Sequence, residues 1–252
     1  MQLNNVDQQL DTIKQHVALP NKVACLTFDD GPSIYTEDLL NILKERNIPA
    51  IFFVVGINVI KVPNAYDIIK RIHAENHHIG LHSMTHDREK LYHRADSPQF
   101  FVDEMRYLEN LLGYILDGYH TKLCRAPYGS FEFTKGHWKS VKKAKLYSLD
   151  WNIDSSDWEI QSADEIFERV VMEAEKAQFP HTIVLLFHEH ARRTLEVIPR
   201  VINYFQDKGY TFVSYAEGDR IAIQQNSPPP WYDTPVSYLR KMKKICKKLL
   251  LW

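Results

Sequence analysis

The chain has 252 residues, 44% of them hydrophobic and 25% charged, with a formal net charge of -1. That length supports a sizeable core, and the near-neutral balance excludes recruitment of nucleic acid by bulk charge. Three cysteines (Cys25, Cys124 and Cys246) show no CxxC spacing, so neither a disulfide framework nor a cysteine zinc site is indicated, and no run approaches the ~20 apolar residues that cross a bilayer.

Residues 1–20 open with the polar stretch MQLNNVDQQL and read as an N-terminal extension with no apolar signal-peptide core. On that reading the chain is cytoplasmic or peripheral at a membrane; an export segment ahead of it would make it secreted or wall-associated. Short apolar runs rich in β-branched and aromatic residues then recur: VACLTF from Val23, AIFFVV from Ala50, HIGLH from His78, TKLCR from Thr121, LYSLDW from Leu146, TIVLLF from Thr182 and TFVSY from Thr211. Amphipathic segments alternate with them. TEDLLNILKERN, FFVDEMRYLENLL, DEIFERVVMEAEKA and LEVIPRVINYFQDKG each carry an apolar stripe at helical spacing, with Ser162 or Asp164 available as an N-cap and Gly209 as a stop. Repeated strand–helix alternation implies a parallel sheet with crossover helices, and near-continuous apolar strands imply a sheet covered on both faces. Seven units fall one short of a closed eight-stranded barrel. The expected fold is therefore α/β, a distorted, incomplete (β/α) barrel of about seven parallel strands in one domain over residues 21–222. Cys25 and Cys124 read as small buried hydrophobes within it.

Reactive residues cluster where these strands end. Asp29 and Asp30 follow the first, His82 ends the third with His86 four residues on, and Arg125 ends the fourth, followed by Ala126, Pro127 and Tyr128. Asp150, Asp154, Asp157 and Trp158 follow the fifth, and His188 ends the sixth. In barrel-like parallel folds the carboxyl ends of the strands share one face, so these groups are expected to converge. Two histidines at i and i+4, in a helical turn or tight loop, together with one carboxylate, make a His2Asp set for a borderline divalent cation such as zinc, with a position left for water. One of the adjacent aspartates then binds the ion and the other stays free as a base. HxxxH alone, or Asp-Asp alone, is more often structural; the two on one face are not.

In order, TFDDGP, HSMTH, RAPYGS, DSSDW and LLFH resemble the five motifs of the polysaccharide deacetylases, the NodB-like group called carbohydrate esterase family 4. The resemblance runs from about Val23 to Ala216. It implies a barrel of the NodB-homology type and a metal-dependent hydrolase that removes N-acetyl groups from an N-acetylated glycan, with zinc, or alternatively cobalt, as the cofactor. It implies Asp29 as general base, Asp30, His82 and His86 as metal ligands, and Arg125 as the residue holding Asp29. The backbone N–H of Tyr128 would stabilise the oxyanion, and Tyr128 would also contact substrate. Asp157 would tune His188, the general acid, while Trp158 would wall the groove and Leu186 would line the acetyl pocket. The family commonly has Asp after the last histidine; here Glu189 and His190 follow, and His190 competes for the role of acid, contacts substrate or faces solvent. Asp154 competes with Asp157 as the partner of His188.

Residues 223–252 differ. A Pro-rich connector, IQQNSPPPWYDTP, leads into SYLRKMKKICKKLLLW. There Leu239, Met242, Ile245, Cys246, Leu249 and Leu250 lie near one helical face, and Arg240, Lys241, Lys243, Lys244, Lys247 and Lys248 cover the rest. Two readings stand: peripheral membrane contact through residues 237–252, or a helix packed on the barrel with solvated lysines. Two rival functions also stand beside N-deacetylation. One is an O-acetyl esterase or small-amide hydrolase of the same fold group; the other is an inactive glycan-binding module.

Overall fold

The first strand, β1 (Val23–Gly31), is buried at every position except Asp30, as its apolar run requires. The computed structural model describes residues 22–213, so the N-terminal extension and the basic tail lie outside the described residues. In chain order the other strands are β2 (Ile51–Val54), β3 (His78–Leu81), β4 (Leu123–Cys124), β5 (Tyr147–Ser148), β6 (Ile153–Asp154), β7 (Thr182–His188) and β8 (Thr211–Phe212). All pairings are parallel, in the order β5-β4-β3-β2-β1-β7-β6, a curled, incomplete barrel of seven staves.

The number of staves matches the sequence reading, but one member does not. Of TFVSY, the described residues Thr211 and Phe212 form β8, which pairs with Val23 and Ala24 at the start of β1 and lies off the main path. The last stave is β6, two residues within WNIDSSDW that carry no apolar run. Ile153 is fully buried in the core, and the ladder to Leu185 and Leu186 of β7 holds the strand in register.

Among the described residues seven α-helices cover the outside: α1 (Thr36–Arg46), α2 (Gly56–Lys61), α3 (Ala65–Ala74), α4 (Ser97–Ile115), α5 (Lys135–Ala144), α6 (Ala163–Lys176) and α7 (Arg192–Asp207). The apolar stripes in the sequence predict α1, α4, α6 and α7. Ser162 caps α6 by accepting from the Glu165 N–H at 3.4 Å, and Gly209, at φ 82°, follows the end of α7. The helices α2, α3 and α5 are shorter than the four anticipated ones, which leaves too few turns for a clear stripe.

Strand alternation divides the core. Ala24, Leu26 and Phe28 of β1 face the helix layer with Ile183, Leu185 and Phe187 of β7. Val23 and Cys25 face the barrel interior with Ile51, Phe53, Leu123, Leu149 and Val184. The period of two puts Thr27 and Asp29 on that inner side as well. Cys25 and Cys124 are buried, as expected.

The interior leaves no spare room near its mouth. A Cβ at Gly80 of β3 would lie 2.5 Å from two carbons of the Phe53 ring. That ring lies under the Arg125 guanidinium, 4.3 Å from it. Gly80→Ala is therefore expected to destabilise the fold by about 1–3 kcal/mol through overpacking. Urea unfolding checks this; an unchanged midpoint would contradict it.

Candidate active site

At the end of β1, Asp29 pairs with Phe53 of β2 and with His188 of β7, while the next pairing to β2 is Gly31 with Val54. Asp30 is the extra residue of a β-bulge, and its φ is 68°. In a regular strand two successive side chains point to opposite faces; the bulge cancels that alternation. Both carboxylates consequently approach one imidazole. His82 Nε2 lies 3.6 Å from Asp29 Oδ2 and 3.4 Å from Asp30 Oδ1. Asp30 is steadied by Asn58, whose Nδ2 donates to its backbone carbonyl at 2.7 Å.

His86 Nε2 lies 3.3 Å from the same Asp30 oxygen. One ligand atom from each of Asp30, His82 and His86 falls within 4.8 Å of the others. The donor set fits a cation on two independent counts. Asp30 Oδ1 is buried with no hydrogen-bond partner, which is costly for a carboxylate unless a cation meets it. His82 Nδ1 donates to the Arg125 carbonyl at 2.9 Å, which leaves the Nε2 lone pair directed at the site. Burial holds His82 down to about 3, against the pull of Asp30, so its imidazole is neutral, the ligand form. The His82–His86 segment is a loop rather than a helical turn, with Ser83 at φ 68° and His86 at φ 57°.

Asp29 is held differently. Arg125 is fully buried in the barrel interior and donates from Nη1 to Asp29 Oδ1 at 2.8 Å and to Thr27 Oγ1 at 2.7 Å, and from Nε to the Leu149 carbonyl at 2.7 Å. Burial nevertheless raises the Asp29 carboxyl above its ordinary range, with Arg125 opposing. Thr27 itself donates to the Leu185 carbonyl at 2.6 Å, and so ties Arg125 to β7. Thr27 is not among the expected site residues; its signal is a hydroxyl in an apolar strand, two residues before Asp29 on the same face.

Across the mouth, His188 Nδ1 donates to Asp157 Oδ1 at 2.8 Å, and Asp157 Oδ2 accepts from the His188 N–H at 2.8 Å and from Thr194 Oγ1 at 2.7 Å. Burial alone would lower His188, but the bond and charge of Asp157, with lesser help from Asp29 and Asp30, raise it to about 9. The Asp157 carboxyl is correspondingly lowered, since the bonds from His188 and Thr194 outweigh its burial. Asp154 is engaged elsewhere, accepting from Trp151 Nε1 at 3.1 Å and from the Ser156 N–H at 2.8 Å. The geometry thus favours Asp157 as the partner of His188.

Tyr128 takes a left-handed φ of 65°, donates from its hydroxyl to the His86 carbonyl at 3.1 Å, and lies with its ring 4.6 Å from that of His86. Leu186 is buried two residues before His188, and Trp158 is 55% exposed beyond Asp157. His190 is exposed, with its ring 5.3 Å from that of His188. Glu189 turns inward instead: it is buried, accepts from Thr36 Oγ1, and packs where a Cβ on Gly31 would stand. Burial raises its carboxyl to about 8. Asp150 accepts from the Ser130 N–H at 3.2 Å and from its hydroxyl, bracing the loop after Tyr128.

A curled parallel barrel with a His2Asp set, a buried carboxylate and a carboxylate-backed histidine gathered at one mouth presents the groups that a hydrolase needs. The family model for polysaccharide deacetylase matches residues 16–149, and the chain belongs to that family. It is a hydrolytic deacetylase by class. A peptidoglycan-N-acetylglucosamine deacetylase of Bacillus cereus is 38% identical over 209 residues, 80% of this chain and 72% of that one. A chitin deacetylase of Colletotrichum lindemuthianum is 30% identical over 221 residues, 84% of this chain and 83% of that one. Matches to two further Bacillus relatives span 66% and 65% of their lengths. A solved polysaccharide deacetylase from Bacillus cereus superposes with a TM-score of 0.69 at 35% identity, covering 77% of this chain and 92% of that one.

The two aspartates are expected to separate by experiment. Asp30→Asn should weaken zinc binding on the order of 10-fold or more, whereas Asp29→Asn should retain stoichiometric metal and lose turnover. Metal content after dialysis, measured beside acetate release, checks this. Equal metal retention in the two variants would refute the division.

Proposed function

We propose that this protein hydrolyses the N-acetyl group of an N-acetylamino sugar within a glycan, releasing acetate and leaving a free amine. The observation that carries the reading is the placement of Asp29 and His188 at the same level of adjacent strands, beside the Asp30–His82–His86 set. An amide needs a base for the attacking water and an acid for the departing nitrogen, and these two groups are poised for opposite proton transfers. The names of the relatives, a peptidoglycan and a chitin deacetylase, support an N-acetylated glycan as the substrate class.

Asp30, His82 and His86 are assigned as ligands of a divalent cation, zinc first and cobalt as the alternative. A cation held there supplies Lewis acidity, polarising the acetyl carbonyl and acidifying water. Asp29 accepts the proton of the attacking water, its carboxylate held in position by Arg125 at 2.8 Å. The backbone N–H of Tyr128 is assigned to the developing oxyanion, where one such donor is worth about 3 kcal/mol. As the carbon–nitrogen bond breaks, its electron pair goes to nitrogen, and His188 protonates that nitrogen from Nε2, since its Nδ1–H is committed to Asp157. Leu186 is assigned to the acetyl methyl and Trp158 to the sugar face.

Acetate release measured with zinc or cobalt present, on N-acetylglucosamine oligomers beside acetylated xylan, tests the reaction. Release from the oligomers is expected; release from the xylan alone would transfer the chemistry to O-acetyl esters. Absence of release from either would support the binding-module reading.

The acid has its own signature. His188→Ala should slow amide hydrolysis by about 10²–10⁴-fold, with a smaller loss on an aryl acetate, whose phenolate leaves unprotonated. The working form of His188 is protonated, so kcat/KM should fall as pH rises through about 9. Asp157→Asn removes the carboxylate that raises it, and the alkaline limb should move down to or below the ordinary histidine value of ~6.5. A limb unmoved in Asp157→Asn would argue against His188 as the acid.

A further inference from the structure

The two histidines of the cation set differ in how they are fixed. His82 continues β3, and its N–H donates to the Val54 carbonyl at 3.0 Å. His86 sits at the far end of a non-helical loop, so its distance from His82 is not set by helix geometry. Other groups must set it, and the hydrogen bonds of residues 83–86 identify them.

The Ser83 N–H meets Met105 Sδ at 3.4 Å, and the His86 N–H donates to Ser83 Oγ at 2.9 Å. The carbonyls of Ser83 and Met84 accept from the N–H groups of Gly56 and Ile57 at 3.1 and 2.8 Å. The two central amides turn the other way. Met84 N–H and Thr85 N–H both donate to Glu104 Oε2, at 3.1 and 2.7 Å, and Thr85 Oγ1 donates to the same oxygen at 2.8 Å. Three donors from consecutive residues thus converge on one carboxylate oxygen, a small anion nest with its anion supplied by a distant helix.

Glu104 lies in the buried stripe of α4 with Phe101, Met105, Leu108 and Leu112, and is itself 5% exposed. A carboxylate in an apolar stripe is costly unless charge-assisted hydrogen bonds meet it. Here those bonds come from the loop that joins the two ligands. Removing the carboxylate would leave two loop amides without their acceptor and release His86 relative to the strand-fixed His82.

We propose that Glu104 is a positioning residue for the cation site, holding the His82–His86 loop in its ligand-binding shape. The proposal rests on the reading of Asp30, His82 and His86 as metal ligands. The test is zinc titration of the full chain against a chromogenic chelator, with the cobalt absorption spectrum as a second readout and circular dichroism as the folding control. Wild type should bind one ion. Glu104→Gln, which keeps the shape and removes the charge, should bind zinc about 10- to 100-fold more weakly and alter the cobalt spectrum. Glu109→Gln, on the same helix and paired with the Thr121 N–H at 3.4 Å, should bind as wild type does. A merely structural role would lower thermal stability without moving the affinity of the folded protein.

Folded Glu104→Gln with wild-type zinc affinity and cobalt spectrum would overturn the role of Glu104 alone. Wild type that binds no ion would instead overturn the ligand assignment beneath it. Should Glu104→Gln fail to fold, Thr85→Val removes only the hydroxyl bond to Glu104. It should weaken zinc binding in the same direction and by less, and unchanged affinity there would also overturn the proposal.

Discussion

The site depends on the bulge at the end of β1. Two successive residues of a strand face opposite ways, so Asp29 and Asp30 in a regular strand would place one carboxylate in the barrel mouth and the other under the helices. The extra residue, with Asp30 in a left-handed conformation, brings both within 3.6 Å of His82 Nε2. Left-handed backbone is uncommon for residues other than glycine, and such strain persists only where the surroundings over-determine it. Here the bond from Asn58 to the Asp30 carbonyl and the packing of Glu189 against Gly31 supply that support.

The second constraint is the filling of the barrel by Arg125. An unpaired buried guanidinium would be prohibitive. This one donates to Asp29, Thr27 and Leu149, and lies between the rings of Phe53 and Trp151 at 4.3 and 5.5 Å. Its hydrogen bonds cross the barrel interior from the end of β4 to β1 and also reach the segment after β5. Arg125 therefore braces the fold and sets the orientation of Asp29 together. Its carbonyl also fixes the tautomer of His82, so one residue holds both Asp29 and His82.

Burial would lower both key imidazoles, and their different partners send them in opposite directions. His82 has its Nδ1–H on a neutral carbonyl, and desolvation keeps it neutral at about 3. His188 has its Nδ1–H on a buried carboxylate, which keeps it cationic up to about 9. A neutral lone-pair donor and a protonated imidazole thus stand in one cleft at neutral pH. Asp157 can impose this on His188 only because Thr194, on α7, and the His188 N–H hold its second oxygen.

The amino-acid sequence by itself determined the alternation of strands and helices, the parallel barrel it implies, and the strand-end residues Asp29, Asp30, His82, His86, Arg125 and His188. Apolar runs and stripes are local properties, and a strand end fixes which mouth a residue occupies. Only the tertiary structure decided what depends on partners distant in the chain. It chose Asp157 over Asp154, since both lie in DSSDW and only hydrogen bonding tells them apart. It seated Thr211–Phe212 at the start of β1 and made Ile153–Asp154 the last stave, because the pairing to β7 and the burial of Ile153 are set by partners distant in the chain. It brought Thr27 and Glu104 into the site, 98 residues from Arg125 in the first case and about 20 from the ligand loop in the second. Their roles rest on which groups they meet in space, and no spacing rule in one sequence encodes that.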